Sequence, residues 1–538
     1  MRPGIRGQES GVRNQTIVPY SSLGVTITHL VTDSREIKHG DTFVAYPGEK
    51  TDGRQFIAQA IARGANAVIY ETQHFAWDKD WQVPNLGVAD LRHKAGWLAD
   101  AVYGAPSEKL WVVGITGTNG KTSTSHWIAH ALNEAGKKCA VIGTLGNGFM
   151  AGNGFADALQ ASANTTPDAI RVHGLLADYL HDGAQAVAME VSSHALSQGR
   201  VNGVRFDVAM LTNLSRDHLD YHGDMQSYAD TKRKLFDWQQ LGFAVLNLDD
   251  AFGAELAEQI QNTDAEVIGY GLRPLSIFPP QAGERANEKS IEPSSDAALQ
   301  LAERLGLRMV YGDLLEMTGQ GLRLAVHSSW GAAELDSALV GRFNAANLLG
   351  ALAVLLASGV ALSDAAHSLS RAQAVAGRMQ RLGGERQPTV IVDYAHTPDA
   401  LEKVLQALRE VGAAGGGKVL CVFGCGGDRD RGKRAMMGMV AEKFSDFCIV
   451  TSDNPRGENP RDIIAEIVGG MNEDNHEIIV DRAAAIQSAI GRARQSDTVL
   501  IAGKGHEDYQ EIKGVKHPFS DVLVAQQALK ASHAGVRT

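Results

Sequence analysis

Residues 114–123 read GITGTNGKTS, set between an apolar run at 110–115 and a helix-like stretch at 121–134. Strand, glycine loop and helix in that order make a cradle for phosphate. The glycines let backbone N–H groups close on phosphate oxygens, the helix N-terminus adds partial positive charge, Lys121 adds a mobile cation, and Thr122 can ligate magnesium. Gly117, Thr118, Asn119, Gly120, Lys121, Thr122 and Ser123 are the expected contacts to ATP. The spacing departs from G-x4-G-K-[ST], since position 115 is Ile and the nearest upstream glycines are Gly114 and Gly117; the flanking elements are what separate this loop from a plain glycine turn. Two candidate magnesium ligands follow apolar runs, Glu190 in AMEVSSHAL and His218 in TNLSRDHLDYHG. Strand ends are where sheet ligands collect. Magnesium prefers carboxylate and phosphate oxygens to imidazole, which favours Glu190 and Thr122.

Two further segments present hydrogen-bonding groups beside these runs. Asn164, Thr165 and Thr166 belong to NTTPD, and Ser192, Gln198 and Arg200 to SSHALSQGR. NTTPD reads equally as a proline-initiated turn with a helix cap and as a loop placed for substrate contact, and Arg200 reads as a surface residue or an anion contact.

The chain around these motifs has 538 residues, a length that favours about three domains. Its 51 basic and 62 acidic side chains leave a net charge of −11, which argues against nucleic acid as the main partner. No run of about 18 apolar residues could span a membrane. The first twenty residues carry arginines without an apolar segment, so neither a secretion signal nor an anchor is expected. Four cysteines, Cys139, Cys421, Cys425 and Cys448, lack paired metal spacing and fit reduced thiols in a cytoplasmic protein.

Up to about residue 107 the pattern mixes short strand-like runs with one helix at 54–63 and ends in the turn-rich YGAPS. From 110 to 271 the runs WVVGIT, AVIGT, AVAMEVS, DVAMLTNL, FAVLNL and AEVIGYG alternate with helical patterns, the signature of a mostly parallel sheet covered on both faces. Residues 273–296 are rich in Pro, Ser, Glu and Lys and predict a surface insertion. After a boundary placed at 340, TVIVDYA, KVLCVFG, FCIVTSD, EIIV and TVLIAG alternate with helices expected at 398–411, 433–444, 460–470 and 482–494, a second doubly wound unit. Its glycine loop GCGGDRDRGKR lacks the following acidic residue of an NAD site. The fold class is therefore α/β, with domains at 1–108, 109–339 and 340–538.

TGTNGKT, NTTPD, MEVSSHAL, TNLSRDHLDYHG, GRFNAAN, VDYAHTPDAL, GCGGDRDRGKR, DNPR and GKGHE, in that order, resemble the Mur ligase family over nearly the whole chain. The resemblance implies a small N-terminal α/β UDP-binding domain, a central P-loop ATPase domain and a C-terminal Rossmann-like domain for the incoming amino acid. It also implies an ATP- and magnesium-dependent amide ligase of peptidoglycan precursor synthesis, monomeric, cytoplasmic, and acting on small molecules without nucleic acid or membrane. By motif, Ser34 and the loop Glu49, Lys50 and Thr51 match the uridine-diphosphate contacts. Asn164, Thr165, Thr166, Ser192, Gln198 and Arg200 match the muramoyl-dipeptide contacts of the substrate UDP-MurNAc-L-Ala-D-Glu. Lys232, which alone reads as a surface helix residue, matches the lysine that the family carbamylates with carbon dioxide, with His218 as co-ligand of a second magnesium ion. Asn347, Arg378 and Asp393 match adenine, phosphate and ribose contacts from the third domain. Arg429, Asp453, Asn454, Pro455, Arg456, Gly503 and Glu507 match the members that take meso-diaminopimelate; lysine-adding members lack the DNPR arginine. A lysine-adding ligase of the same family is the alternative among enzymes, and a nucleotide-switched binding protein the non-enzymatic one.

Overall fold

In a computed structural model the described residues are 19–49, 51–150, 159–162, 164–273, 295–384, 386–412 and 416–535; Lys50 and most of the expected insertion lie outside them. The first unit is a sequentially ordered parallel sheet of Leu30–Val31, Thr42–Ala45, Ala67–Glu71 and Asn85–Val88. The helix expected at 54–63 is divided. A 3-10 turn Gly53–Phe56, capped by the Asp52 side chain on Arg54 N, runs into the α-helix Ile57–Ala62. A further helix, Leu91–Val102, packs Leu91, Ala95, Leu98 and Ala99 on the sheet. Its narrow apolar stripe is interrupted by Arg92, His93 and Lys94, which hides it in the sequence.

The second sheet places the site. Seven parallel strands run in the spatial order Cys139–Gly143, Ala186–Glu190, Trp111–Thr116, Val208–Leu211, Phe243–Asn247, Glu266–Arg273 and Arg308–Thr318. Antiparallel edges are added by Gly146–Phe149 on one side and by Gly321–Ser328 and Gly331–Ser337 on the other. Because Trp111–Thr116 lies between Ala186–Glu190 and Val208–Leu211, the loops opening at Gly117, Val191 and Thr212 leave the same sheet edge side by side.

The boundary expected at 340 does not match the packing. Helix Arg342–Ala357 is apolar on nearly all sides, and Leu348, Leu349, Leu352 and Leu355 share a core with Val113, Met210, Ile268 and Val310 of the second sheet. Helix Leu362–Ser370 follows it there, and Trp127 Nε1 donates to Gln373 O at 2.9 Å. A helix without a polar face must be covered on all sides, and this sheet supplies the cover.

The third sheet is doubly wound as expected. Thr389–Asp393, Thr498–Ala502, Val419–Phe423, Phe447–Val450 and His476–Ile478 are parallel, with Gln380–Gly383 antiparallel at the edge. Helices Pro398–Gly412, Gly432–Phe444 and Pro460–Val468 cover one face; Arg482–Arg492 and Asp521–Gly535 cover the other. A hairpin, Tyr509–Ile512 with Val515–Pro518, stands beyond the last strand.

Candidate active site

The loop between Trp111–Thr116 and the helix Lys121–Glu134 turns through positive φ at Gly117 (143°) and Gly120 (90°). Each position also lacks room for a side chain: a Cβ would stand 1.9 Å from Thr212 Oγ1 at Gly117 and 2.8 Å from Asn347 Oδ1 at Gly120. Lys121 Nζ donates to the carbonyls of Gly117 (2.7 Å) and Thr118 (2.9 Å), folded over the loop that would hold a phosphate. Thr118 exchanges hydrogen bonds with Ser215, and Asn119 N donates to Asn213 Oδ1 at 3.0 Å, so the neighbouring strand-end loop braces this one.

Glu190 ends its strand with 0% exposure. Thr122 Oγ1 donates to its Oε2 at 3.0 Å and Thr144 N to its Oε1 at 2.8 Å. Among the described residues no basic side chain lies within ion-pair distance of it. A buried carboxylate beside a threonine hydroxyl, without a paired cation, is a hard-oxygen set that fits magnesium.

Lys232, 1% exposed, projects from helix Met225–Arg233 and donates to Gly117 O at 2.8 Å. That carbonyl is the one Lys121 also uses. Burial, and Lys121 beside it, hold the Lys232 amine well below its ordinary pKa, favouring the neutral base. Its Nζ lies 4.5 Å over the Tyr228 ring, which stands between it and His218, the two ring centroids being 6.4 Å apart. Thus of the four expected metal-site residues Thr122 and Glu190 are in direct contact, whereas Lys232 and His218 are separated by the Tyr228 ring and His218 Nε2 lies 3.3 Å from Asp217.

NTTPD forms the helix cap of one of its readings. Asp168 caps helix Ala169–His181 through Arg171 N, and the preceding threonines face the strand end. Thr166 Oγ1 donates to Glu190 O at 2.8 Å and accepts from Ser192 N at 3.1 Å; Thr165 Oγ1 accepts from Thr144 Oγ1 at 3.1 Å. Arg200 is not a free surface residue, since it donates to Thr166 O and Gln198 Oε1, each at 2.8 Å. Gln198 Nε2 donates to Glu49 of the first unit. Ser34 is buried and donates to Gln59 Oε1, while Thr51 and Asn164 are exposed.

The residues expected to meet the incoming amino acid gather at the end of the third sheet. A Cβ on Gly426 would lie 2.8 Å from Arg456 Nη1, 3.8 Å from Arg429 Cγ and 3.8 Å from Asn454 O, so these groups surround one glycine. Asn454 Nδ2 donates to Glu507 at 2.8 Å, and a Cβ on Gly503 would stand 2.5 Å from Asp453 Oδ2. Pro455 O accepts from Glu458 N at 2.9 Å. Arg456, at φ 49°, is not free: Nη1 donates to Gly427 O at 2.8 Å and Nε lies 3.3 Å from Glu511 of the hairpin. Sequence reasoning missed Glu511, and also Lys504, buried against Glu507 (2.8 Å) and Asn454 (3.0 Å). For Lys504 the signal was its place in GKGHE; for Glu511 there was none.

A cavity of about 1000 Å³ separates the phosphate loop from the third unit, lined by Gly120, Thr122, Ser123, Asn347, Arg378 and Asp393 among others. Arg378 Nη2 donates to Thr122 Oγ1 at 3.3 Å across that gap, and its guanidinium lies 4.4 Å over the Tyr394 ring. Asp393 accepts from Met379 N and Ala395 N, and burial pushes its carboxyl pKa up.

This arrangement of phosphate loop, buried carboxylate and facing third unit defines a nucleotide-dependent ligase class, and comparison with known proteins agrees. Residues 26–103 match the Mur ligase family catalytic domain, 115–355 the Mur ligase middle domain, and 377–505 the Mur ligase glutamate ligase domain. The chain belongs to the Mur ligase family. It is 50% identical over 518 residues to the UDP-N-acetylmuramoyl-L-alanyl-D-glutamate--2,6-diaminopimelate ligase of Nitrosomonas europaea, covering 95% of this chain and 94% of that one. The enzyme of the same name from Chromobacterium violaceum is 49% identical, covering 95% of each chain. A solved structure of a ligase of that name aligns with TM-score 0.62 at 34% identity, over 94% of this chain and 95% of that one. The MurF ligase of Thermotoga maritima in complex with ADP, at 18% identity and TM-score 0.60 over 95% of this chain and 98% of that one, shares the fold.

Proposed function

We propose that this chain is an ATP-dependent ligase joining meso-2,6-diaminopimelate to UDP-N-acetylmuramoyl-L-alanyl-D-glutamate in peptidoglycan precursor synthesis. It would work as a cytoplasmic monomer on these small molecules; no described helix is long and apolar enough to cross a membrane. The first unit would hold UDP through Ser34 and the 49–51 loop. The central unit, extended through about residue 374 by its helix pair and the segment that accepts from Trp127, would hold ATP, and the third unit the amino acid.

The D-glutamate γ-carboxylate attacks the γ-phosphorus of ATP, the bond to the bridging oxygen breaks, and ADP leaves. The acyl phosphate so formed is attacked by a neutral amino group of diaminopimelate; phosphate departs, a proton is lost, and the amide remains. Thr166, Ser192, Gln198 and Arg200 would orient the carboxylate beside the phosphate loop. Lys121 would leave the carbonyls of Gly117 and Thr118 for phosphate oxygens, adding to the loop N–H groups as charge accumulates there. Asn347, on the phosphate-loop side, and Arg378 and Asp393, from across the cavity, would contact the nucleotide. Magnesium, when bound, neutralises phosphoryl charge; Thr122 and Glu190 would hold one ion, and His218 with Lys232 a second. For that role Lys232 must become an anion. Its neutral amine adding to carbon dioxide, with loss of a proton, gives a carbamate.

The observation that carries the choice of acceptor is Arg456, directed at the glycine around which Arg429 and Asn454 also close. A guanidinium holds the distal carboxylate of diaminopimelate by paired hydrogen bonds, and lysine offers none. Arg456 keeps Gly427 O and Glu511 with either acceptor, so the preference comes from the charge-assisted bonds that only diaminopimelate adds, about 1.5–3 kcal/mol, or roughly 10- to 150-fold in selection. In a competition assay, wild type should release phosphate only with ATP, the UDP-muramoyl-dipeptide and diaminopimelate together, and Arg456→Ala should lose most preference over lysine. Equal use of lysine by the wild type would reject this acceptor.

A further inference from the structure

Asp399 opens helix Pro398–Gly412 of the third unit. Its Oδ2 accepts from Asn119 Nδ2 at 3.1 Å and from Ser215 Oγ at 2.8 Å, both of the central unit, and from Lys403 Nζ at 3.1 Å on its own helix. Asn119 and Ser215 occupy Oδ2, and Lys403 Nζ straddles it and Oδ1, 3.0 Å away, so both oxygens of an ionised carboxylate are used in serving three donors.

The two partners across the gap are themselves parts of one bonded net. Asn119 O accepts from Thr212 Oγ1 at 2.6 Å and from Asn213 Nδ2 at 3.1 Å; Ser215 N donates to Thr118 Oγ1 at 2.9 Å. Those bonds fix the backbone between Gly117 and Gly120. Among the described residues the ion pairs between these units, Arg216 to Asp430 at 3.6 Å and His396 to Asp217 at 4.0 Å, lie off the loop, and Arg378 reaches only its helix end, at Thr122 Oγ1, so Asp399 is the contact that meets Asn119.

We infer that Asp399 is a positioning residue: the anchor by which the amino-acid unit docks on the phosphate loop and sets its Asn119. The inference rests on the ligase reading above. An acyl phosphate survives only while water is kept out, and a unit that docks directly on the loop excludes water just when that loop is filled. Asp399 makes no bond that the chemistry consumes. Its loss therefore loosens coupling between phosphate release and amide formation instead of abolishing either.

The test uses the full chain as wild type, Asp399→Ala, Ser215→Ala and the double variant. Two quantities are read: phosphate released per tripeptide formed, and hydrogen exchange of the segments 116–120 and 212–216 in the protein without substrates. Wild type should release one phosphate per amide. Each single variant should raise that ratio at least about twofold, lower kcat about tenfold and speed exchange in both segments, while the double variant is no worse than the poorer single, as expected of one shared bond. Asp399→Asn, keeping one acceptor oxygen, should fall between. Additive losses, or an unchanged ratio with unchanged exchange, overturn the anchor. A wild type that forms no tripeptide sinks the ligase reading instead, and the exchange data still decide for or against Asp399.

Discussion

Lys121 and Lys232 donate to a single carbonyl, Gly117 O, at 2.7 and 2.8 Å. Two ammonium groups so close repel, and burial adds the cost of holding either charge away from water, so the more enclosed Lys232 yields its proton. Its lowered pKa keeps neutral amine available well below pH 10.5, the ordinary lysine value, and neutral amine is the form that captures carbon dioxide. Enzyme depleted of carbon dioxide should therefore lose activity and recover it with bicarbonate, the more completely the higher the pH. Lys232→Met should lose at least about a hundredfold in kcat without recovery; activity indifferent to bicarbonate would remove the carbamate from the mechanism. Gly117→Ala is the matching test of the loop itself. With a Cβ 1.9 Å from Thr212 Oγ1 and φ at 143°, the variant should fold yet bind ADP more than about a hundredfold more weakly by calorimetry.

Two elements of the third unit depend on one buried cation. Arg434, on helix Gly432–Phe444, donates to both oxygens of Glu458 (2.7 and 3.0 Å) and to Glu466 Oε2 at 2.9 Å, and Glu458 Oε1 accepts from Asp428 N. This clamp joins the glycine loop bearing Arg429 to the loop bearing Arg456. Arg434→Met should raise KM for diaminopimelate more than about tenfold and leave KM for ATP near wild type, since the phosphate loop lies in another unit. Its pH dependence has a definite sign. The hydrogen bonds from Arg434 hold Glu458 down from 4.5 to about 2, so the clamp stabilises the fold fully above the ordinary value and loses its effect as pH falls toward 2. The stability gap between wild type and Arg434→Met, measured by denaturant unfolding, should be full at neutral pH and shrink through that window.

Across the whole molecule, the helix pair between the second and third sheets is structurally central. A chain ending at residue 339 would strip the second sheet of Leu348, Leu352 and Leu355 and expose Val113, Met210 and Ile268 of the same core. Such a fragment should aggregate, whereas one ending near 375, which keeps the Trp127 bond to Gln373 O, should stay soluble and cooperative in thermal unfolding. Equal solubility of the two would place the boundary back at 340. The same packing brings Asn347 to the phosphate loop: it rides on the first turns of Arg342–Ala357 and meets Gly120 because the helix is bound to the second sheet.

The sequence alone determined the parallel sheets, the phosphate loop and its helix, and the doubly wound last unit, because each is a local pattern; the residues proposed for the three sites came from the order of whole motifs. Alternating apolar runs and helical stripes fix elements, and glycines at 117 and 120 fix a turn before any long contact forms. Tertiary structure decided what those residues meet. Nothing local distinguishes Lys232 from a solvated helix lysine until the sheet brings Gly117 O to it, and Asp399 reads as an ordinary acidic residue of a helix first turn until a second unit supplies Asn119 and Ser215. Arg456 likewise reads as free until the hairpin returns Glu511 to it. The uniformly apolar run after 342 said only that it must be buried, and which sheet buries it depends on contacts made far apart in the chain, where one-dimensional periodicity carries no information.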